Sequence, residues 1–148
     1  MKIRIELDAS LEEPEVVIRA AMLTEQIQQI QMALQEVVRK PLVFYKGTSE
    51  YFLEIEQILF FETDDAKIFA HTVDNAYEVR LKLYELEDYL PRFFCRVSKF
   101  TIVNSKKIYS LDRSFSGSSR IGFYDSHKIT YVSRRYQQFL KERLEEMR

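Results

Sequence analysis

The side chains that could do chemistry gather late in the chain. From Arg92 to Arg135 there are ten Lys or Arg residues against only Asp112 and Asp125. Eight of them stand at four junctions, Arg96/Lys99, Lys106/Lys107, Arg113/Arg120 and Arg134/Arg135, rather than along one helical face. Small hydroxyl and amide residues lie between them: Ser98, Thr101, Asn104, Ser105 and Ser133. Lys and Arg neutralise phosphates, while Ser, Thr and Asn add hydrogen bonds to phosphate oxygens or base edges. Arg134 and Arg135 also open the pattern of a final helix. Cations there oppose the helix dipole by ~0.3–1 kcal/mol each, a cost that a bound anion relieves.

Other chemistries find less support. His71 sits in a strand-like run (KIFAHT) and His127 in a turn (YDSHK), with no second histidine at metal-ligand spacing. Cys95 falls inside FFCRV, where alternation predicts a buried packing thiol; as the single cysteine it excludes a disulfide framework and a multi-cysteine zinc site. The three glycines, at positions 47, 117 and 122, write neither a Walker-A nor a GxGxxG phosphate loop, and there is no Gly-x-Ser-x-Gly elbow. Glu62, Asp64 and Asp65 form an acidic cluster that reads as turn chemistry. The expectation is no catalytic residue, no cofactor and no metal. Two rivals remain: a small enzyme using Asp64, Asp65 and His71, and a non-catalytic interaction module whose basic half docks an acidic partner.

The 148 residues, 46% hydrophobic and 30% charged, suit one folded domain with a small appendage. The net charge of −1 conceals a division: residues 1–91 hold 9 of the 22 Lys and Arg but 18 of the 23 Asp and Glu. Such asymmetry marks polyanion contact or a dipolar assembly surface. No run approaches the ~18 apolar residues of a membrane span, and MKIRIELD is no signal peptide, so a cytoplasmic protein without membrane insertion is expected.

Residues 3–8 (IRIELD) alternate as a half-buried strand does, and Glu15–Ala20 after Pro14 reads as a second strand. Thr24 offers an N-cap to a helix carrying Ile27, Ile30, Leu34 and Val37 or Val38 as one apolar stripe, and Pro41 stops it. Residues 1–40 therefore read as a β-β-α appendage. Short β-rich runs follow: 42–45, 51–55, 58–62, 67–72 and 76–80. After a helical stretch, Leu83–Leu90, that ends at Pro91, the pattern resumes with 93–97, 107–112, 120–124 and 128–132. Ser114–Ser119 (SFSGSS) reads as a loop, and a closing helix starts at Ser133. The fold class is mainly β, sandwich-like, with peripheral helices.

Three stretches carry a family resemblance: ILFFETDDAKIFAHT at 58–72, LKLYELEDYLPRFFCRVSKFTIVNSKKI at 81–108, and ITYVSRRYQQFLKERL at 129–144. Their order and spacing, over residues 41–148, resemble the LytTR DNA-binding domain of bacterial transcription regulators. That resemblance implies a sequence-specific, double-stranded DNA-binding regulator which, unlike helix-turn-helix proteins, inserts loops between strands into successive major grooves of promoter DNA.

Carried over by position, one contact loop lies around Asp65, Ala66 and Lys67, a second is Ser98-Lys99, and a third is Ser133-Arg134-Arg135. Lys99 and Arg134 are the base-reading candidates, since long cationic donors address guanine O6 and N7. Lys67, Ser133 and Arg135 read as phosphate contacts. Many relatives carry histidine where this chain has Ser98, and some near Ala66, so the preferred DNA sequence should differ. Asn104 reads as a turn-stabilising residue. Many such regulators also carry a phospho-receiver domain; residues 1–40 lack its acidic pocket, and phosphorelay control is not expected. The stripe on the first helix suits a homodimer, or packing within the chain. Small regulators of this architecture are often paired with a membrane protein, a partner the sequence does not specify.

Overall fold

The structure, a computed structural model, describes residues 1–38, 41–113 and 117–147. The chain divides into two compact units, residues 1–39 and 40–148.

In the first unit the regular element among the described residues is helix α1, Glu25–Val38. Thr24 starts it as expected: its Oγ1 accepts from the Ile27 N–H at 3.3 Å. Ile27, Ile30 and Leu34 are half-buried, whereas Val37 is exposed. The strands expected at 3–8 and 15–20 are not formed, so the β-β-α reading of this unit is corrected to irregular chain followed by a helix. Ile3, Ile5 and Leu7 stand in solvent. Alternation marks the face a strand would bury; the strand itself exists only where a second strand satisfies its N–H and C=O groups.

The second unit is mainly β, as expected. It contains β1 (Phe44–Lys46), β2 (Ser49–Tyr51), β3 (Phe60–Asp64), β4 (Lys67–His71), β5 (Ala76–Val79), α2 (Leu83–Tyr89), β6 (Phe94–Ser98) and β7 (Thr101–Asn104). There follow β8 (Ile108–Arg113), β9 (Ser119–Phe123), β10 (Ile129–Val132) and α3 (Gln137–Glu146), with 3-10 turns at Ile55–Gln57, Ser105–Lys107 and Arg134–Tyr136. Seven strands form one antiparallel sheet in the order β2-β1-β5-β4-β3-β7-β6, and three form another, β10-β9-β8. The strand expected at 51–55 is displaced: β2 ends at Tyr51 and the chain turns at Ile55–Gln57. Of the 114–119 loop, residues 114–116 lie outside the described residues.

The large sheet is buried on both faces. One face carries Phe44, Phe61, Ala70, Val79, Phe94 and Ile102 against Leu83, Leu86 and Leu90 at α2. The other carries Phe60, Cys95, Val97 and Val103 against Ile121, Phe123 and Val132 of the small sheet and Leu140 of α3. Neighbours in sequence, Phe60/Phe61 and Ile102/Val103, thus enter opposite cores, as a period of two requires. All four residues of β7 are buried. With both faces covered it shows no alternation, and the sequence reading missed it.

A polar bridge ties the two sheets. His71 Nε2 lies 2.7 Å from Glu62 Oε1; Lys128, before β10, reaches His71 Nδ1 at 3.1 Å and the Asn75 carbonyl at 2.6 Å. The ring stacks on Phe60, centroids 4.3 Å apart, and Phe60 on Phe123 at 5.3 Å. An ammonium donating to Nδ1 fixes the neutral tautomer, with Nε2–H donating to Glu62. Burial, aided by Lys128 and opposed by Glu62, holds the His71 pKa below its ordinary 6.5. The unfolded chain therefore binds the proton more readily. Stability from this group is complete above the unfolded value and is lost as pH falls from about 6.5 toward the depressed folded value. Denaturant titrations across pH 5–8 should show this slope in the parent, and His71→Gln should remove it.

Candidate nucleic-acid interface

Two hairpin tips lie side by side. Strands β3 and β4 close between Asp64 and Lys67. Asp65 and Ala66 between them both have positive φ, 51° and 66°, the two-residue turn whose twist suits a hairpin. Strands β6 and β7 close between Ser98 and Thr101, with Lys99 and Phe100 at the tip and a bulge between Arg96 and Ser98. Because β3 pairs with β7, Glu62 opposite Thr101, the tips emerge at one end of the sheet, and the Thr63 N–H donates to the Phe100 carbonyl at 2.9 Å. Lys67 and Lys99 line the same concavity of about 570 Å³.

Arg96 holds the second tip in shape. Its Nε donates to the Ser98 carbonyl at 2.8 Å, its Nη2 to the Lys99 carbonyl, and its Nη1 to Glu87 Oε1 of α2 at 2.5 Å. Ser98 Oγ accepts from the Phe100 N–H at 3.2 Å, which leaves the hydroxyl proton able to donate outward. The third segment joins the end of β6: the Ser133 N–H donates to the Val97 carbonyl at 2.8 Å. Arg134 and Arg135 follow in a 3-10 turn and are exposed. They diverge. The Arg134 guanidinium lies against Gly117, where a built Cβ would stand 2.5 Å from Nε, while Arg135 lies over the Tyr136 ring at 5.9 Å and lines a second hollow of about 620 Å³ beside Arg96. Among the described residues no carboxylate comes within ion-pair distance of Lys67, Lys99 or Arg135.

The family profile of the LytTr DNA-binding domain matches residues 49–145. The chain belongs to the LytTR DNA-binding domain family. Two relatives from Staphylococcus aureus, strains NCTC 8325 and COL, are named uncharacterized HTH-type transcriptional regulators; each is 32% identical over 145 residues, 97% of this chain and 98% of theirs. Among solved structures, a LytTr DNA-binding domain from Bacillus cereus is 20% identical and shares the fold, with a TM-score of 0.64 over 72% of this chain and 98% of that one. The helix–turn–helix in the relatives' name has no counterpart among the described residues of this LytTR domain, where five strands separate α2 from α3.

The fold brings Lys67, Ser98, Lys99 and Ser133 toward one end of the sheet, with Arg135 beside Arg96. Arg134 leans away toward the β8–β9 connection. The residue that sequence reading undervalued is Arg96, named there only as part of the basic Arg96/Lys99 junction. Its signal was its place two residues before a tight tip, from which a long donor can return to the tip's carbonyls. The rival enzyme site is not assembled: Asp64 pairs with Lys67 at the tip, whereas His71 pairs with Phe60 at the other end of the same hairpin, about 13 Å away at 3.3 Å per residue. Among the described residues no group of three His, Cys, Asp or Glu side chains could hold a metal ion, and no helix is long and apolar enough to cross a membrane.

Cys95 is buried, and burial, opposed by Arg143, pushes its thiol up to about 11. At pH 8 it is almost entirely the unreactive thiol. Iodoacetamide should leave the folded LytTR domain unmodified for hours and alkylate it promptly in denaturant, as intact mass would show.

Proposed function

We propose that this protein regulates transcription by binding promoter DNA sequence-specifically through the loops of its LytTR domain, set into the major groove. The carrying observation is the joint placement of the Lys67 and Lys99 tips, with Ser133 tied to the neighbouring strand. Long cationic side chains on short, braced turns can enter a groove as a recognition helix would. Lys99 and Arg134 read bases, a bidentate cation matching guanine O6 and N7; Lys67, Ser133 and Arg135 hold phosphates; Ser98 adds a hydroxyl donor. Nothing in this scheme requires catalysis, and its place of action is the cytoplasm.

The α1 stripe supports a homodimer. Ile27, Ile30, Leu34 and Val37 recur at three and four residues, and their flanks, Gln26, Gln31 and Ala33, are uncharged, so self-pairing meets no like-charge repulsion. Two copies on paired sites gain affinity through effective concentration. Sedimentation equilibrium should give a dimer that Leu34→Asp reduces to monomer.

The direct test is a gel shift with the gene's own upstream region and an unrelated duplex, each at two salt concentrations. A specific regulator retains preference for one fragment as salt rises, while its non-specific binding collapses. Equal, weak binding to both would reject the proposal and favour the acidic-partner module.

A further inference from the structure

The concavity shared by Lys67 and Lys99 has a further wall. Arg80 and Lys82, at the junction of β5 and α2, line it too, as does Arg96 of β6. Ile68 pairs with Val79, so Lys67 and Arg80 are the next positions on adjacent strands. Lys99 lies beyond β3, at the tip joining β7. The backbone positions of Arg80, Lys67 and Lys99 thus span β5, β4, β3 and β7, three inter-strand steps or about 14 Å, the axial length of about four nucleotides of one DNA strand.

The side chains are differently committed. Arg96 spends its donors on Ser98, Lys99 and Glu87 and serves as a brace. Arg80 is exposed and stacks on Tyr45, its guanidinium carbon 3.8 Å from the ring centroid. Stacking orients a guanidinium while leaving its in-plane N–H groups to bind oxygen. Lys82 is exposed, 5.9 Å over the Tyr84 ring. Of the two carboxylates lining the hollow, Glu78 and Glu85, the latter is engaged by the Lys82 backbone N–H at 3.1 Å.

From this we infer that the trough is a fourth DNA-contact segment: Arg80 and Lys82, outside the three loops, bind consecutive phosphates of one strand while the adjacent tips enter the groove. The inference rests on the DNA-binding reading and names a part of the interface that reading leaves out. Phosphate contacts carry no sequence information, so their signature is uniform loss of affinity and a smaller salt slope.

The test is fluorescence anisotropy of full-length protein with the preferred and an unrelated duplex at four salt concentrations, for Lys82→Gln, Arg80→Gln/Lys82→Gln and Lys99→Ala. The slope of log K against log salt should shrink by about one for the single variant and about two for the double, near 0.9 per phosphate contact, with both duplexes losing affinity alike and thermal midpoints unchanged. Lys82→Arg should restore the slope lost by Lys82→Gln. Slopes equal to the parent's in both Gln variants would overturn the trough; if Lys99→Ala still lowers specific binding, the loop reading stands without it. An inert Lys99→Ala beside reduced slopes would instead keep the trough and remove Lys99 as a reader.

Discussion

Arg134→Ala and Lys99→Ala should each lower affinity for the preferred duplex by ~1–3 kcal/mol, some 5- to 150-fold, and relax preference at one base position each. Binding to unrelated DNA should change far less, which separates these residues from Lys67, whose loss should weaken all duplexes similarly. Competition gel shifts against a set of single-base operator variants would read both effects. The Arg134 effect has an independent handle. Gly117 has φ +87°, and a Cβ there would stand 2.5 Å from the Arg134 Nε and 2.8 Å from Nη2. Gly117→Ala should therefore displace the guanidinium and reproduce part of the Arg134→Ala defect without touching DNA itself. Strain at positive φ adds about 1 kcal/mol of destabilisation, so binding is compared at a temperature where both proteins are folded. If Arg134→Ala binds every operator variant as the parent does, the base-reading role is wrong.

Asn104→Ala should cost the domain about 2–4 kcal/mol, measured as a lower urea midpoint with unchanged m-value. Asn104 is fully buried. Its Nδ2 donates to the Ile58 carbonyl at 2.9 Å and to the Glu56 carbonyl at 3.4 Å, and its Oδ1 accepts from the Lys106 N–H at 3.0 Å. One amide thus fastens the entry of β3 to the exit of β7 and starts the following 3-10 turn. Alanine leaves a buried carbonyl unsatisfied and a small cavity beside it; each alone costs ~1–3 kcal/mol. Asn104→Asp should be no better, because it removes the Nδ2–H donors and buries a charge. The sequence reading gave Asn104 a turn-stabilising part, and these hydrogen bonds are its physical content.

What was legible in the chain was whatever local chemistry decides. The apolar stripe of α1 and the Thr24 cap, the stop at Pro91, a turn read at Asp64-Asp65 and seated one residue later at Asp65-Ala66, and the burial of Cys95 all follow from neighbours within a few residues. The three segments carrying Lys67, Ser98-Lys99 and Ser133–Arg135 came instead from the family resemblance, matched by position, which works because each segment is contiguous in sequence.

Long-range pairing decided the rest. Strand β7, covered on both faces, has no alternation to betray it. Residues 3–8 have alternation in full and form no strand, because pattern cannot supply a pairing partner. That the two lysine tips share one trough follows from β3 lying between β4 and β7, and that Arg96 braces one of them follows from a bulge that turns its guanidinium back onto the tip's carbonyls. Such facts depend on which strands meet and in what register, energies set between residues tens of positions apart, and local periodicity is blind to them.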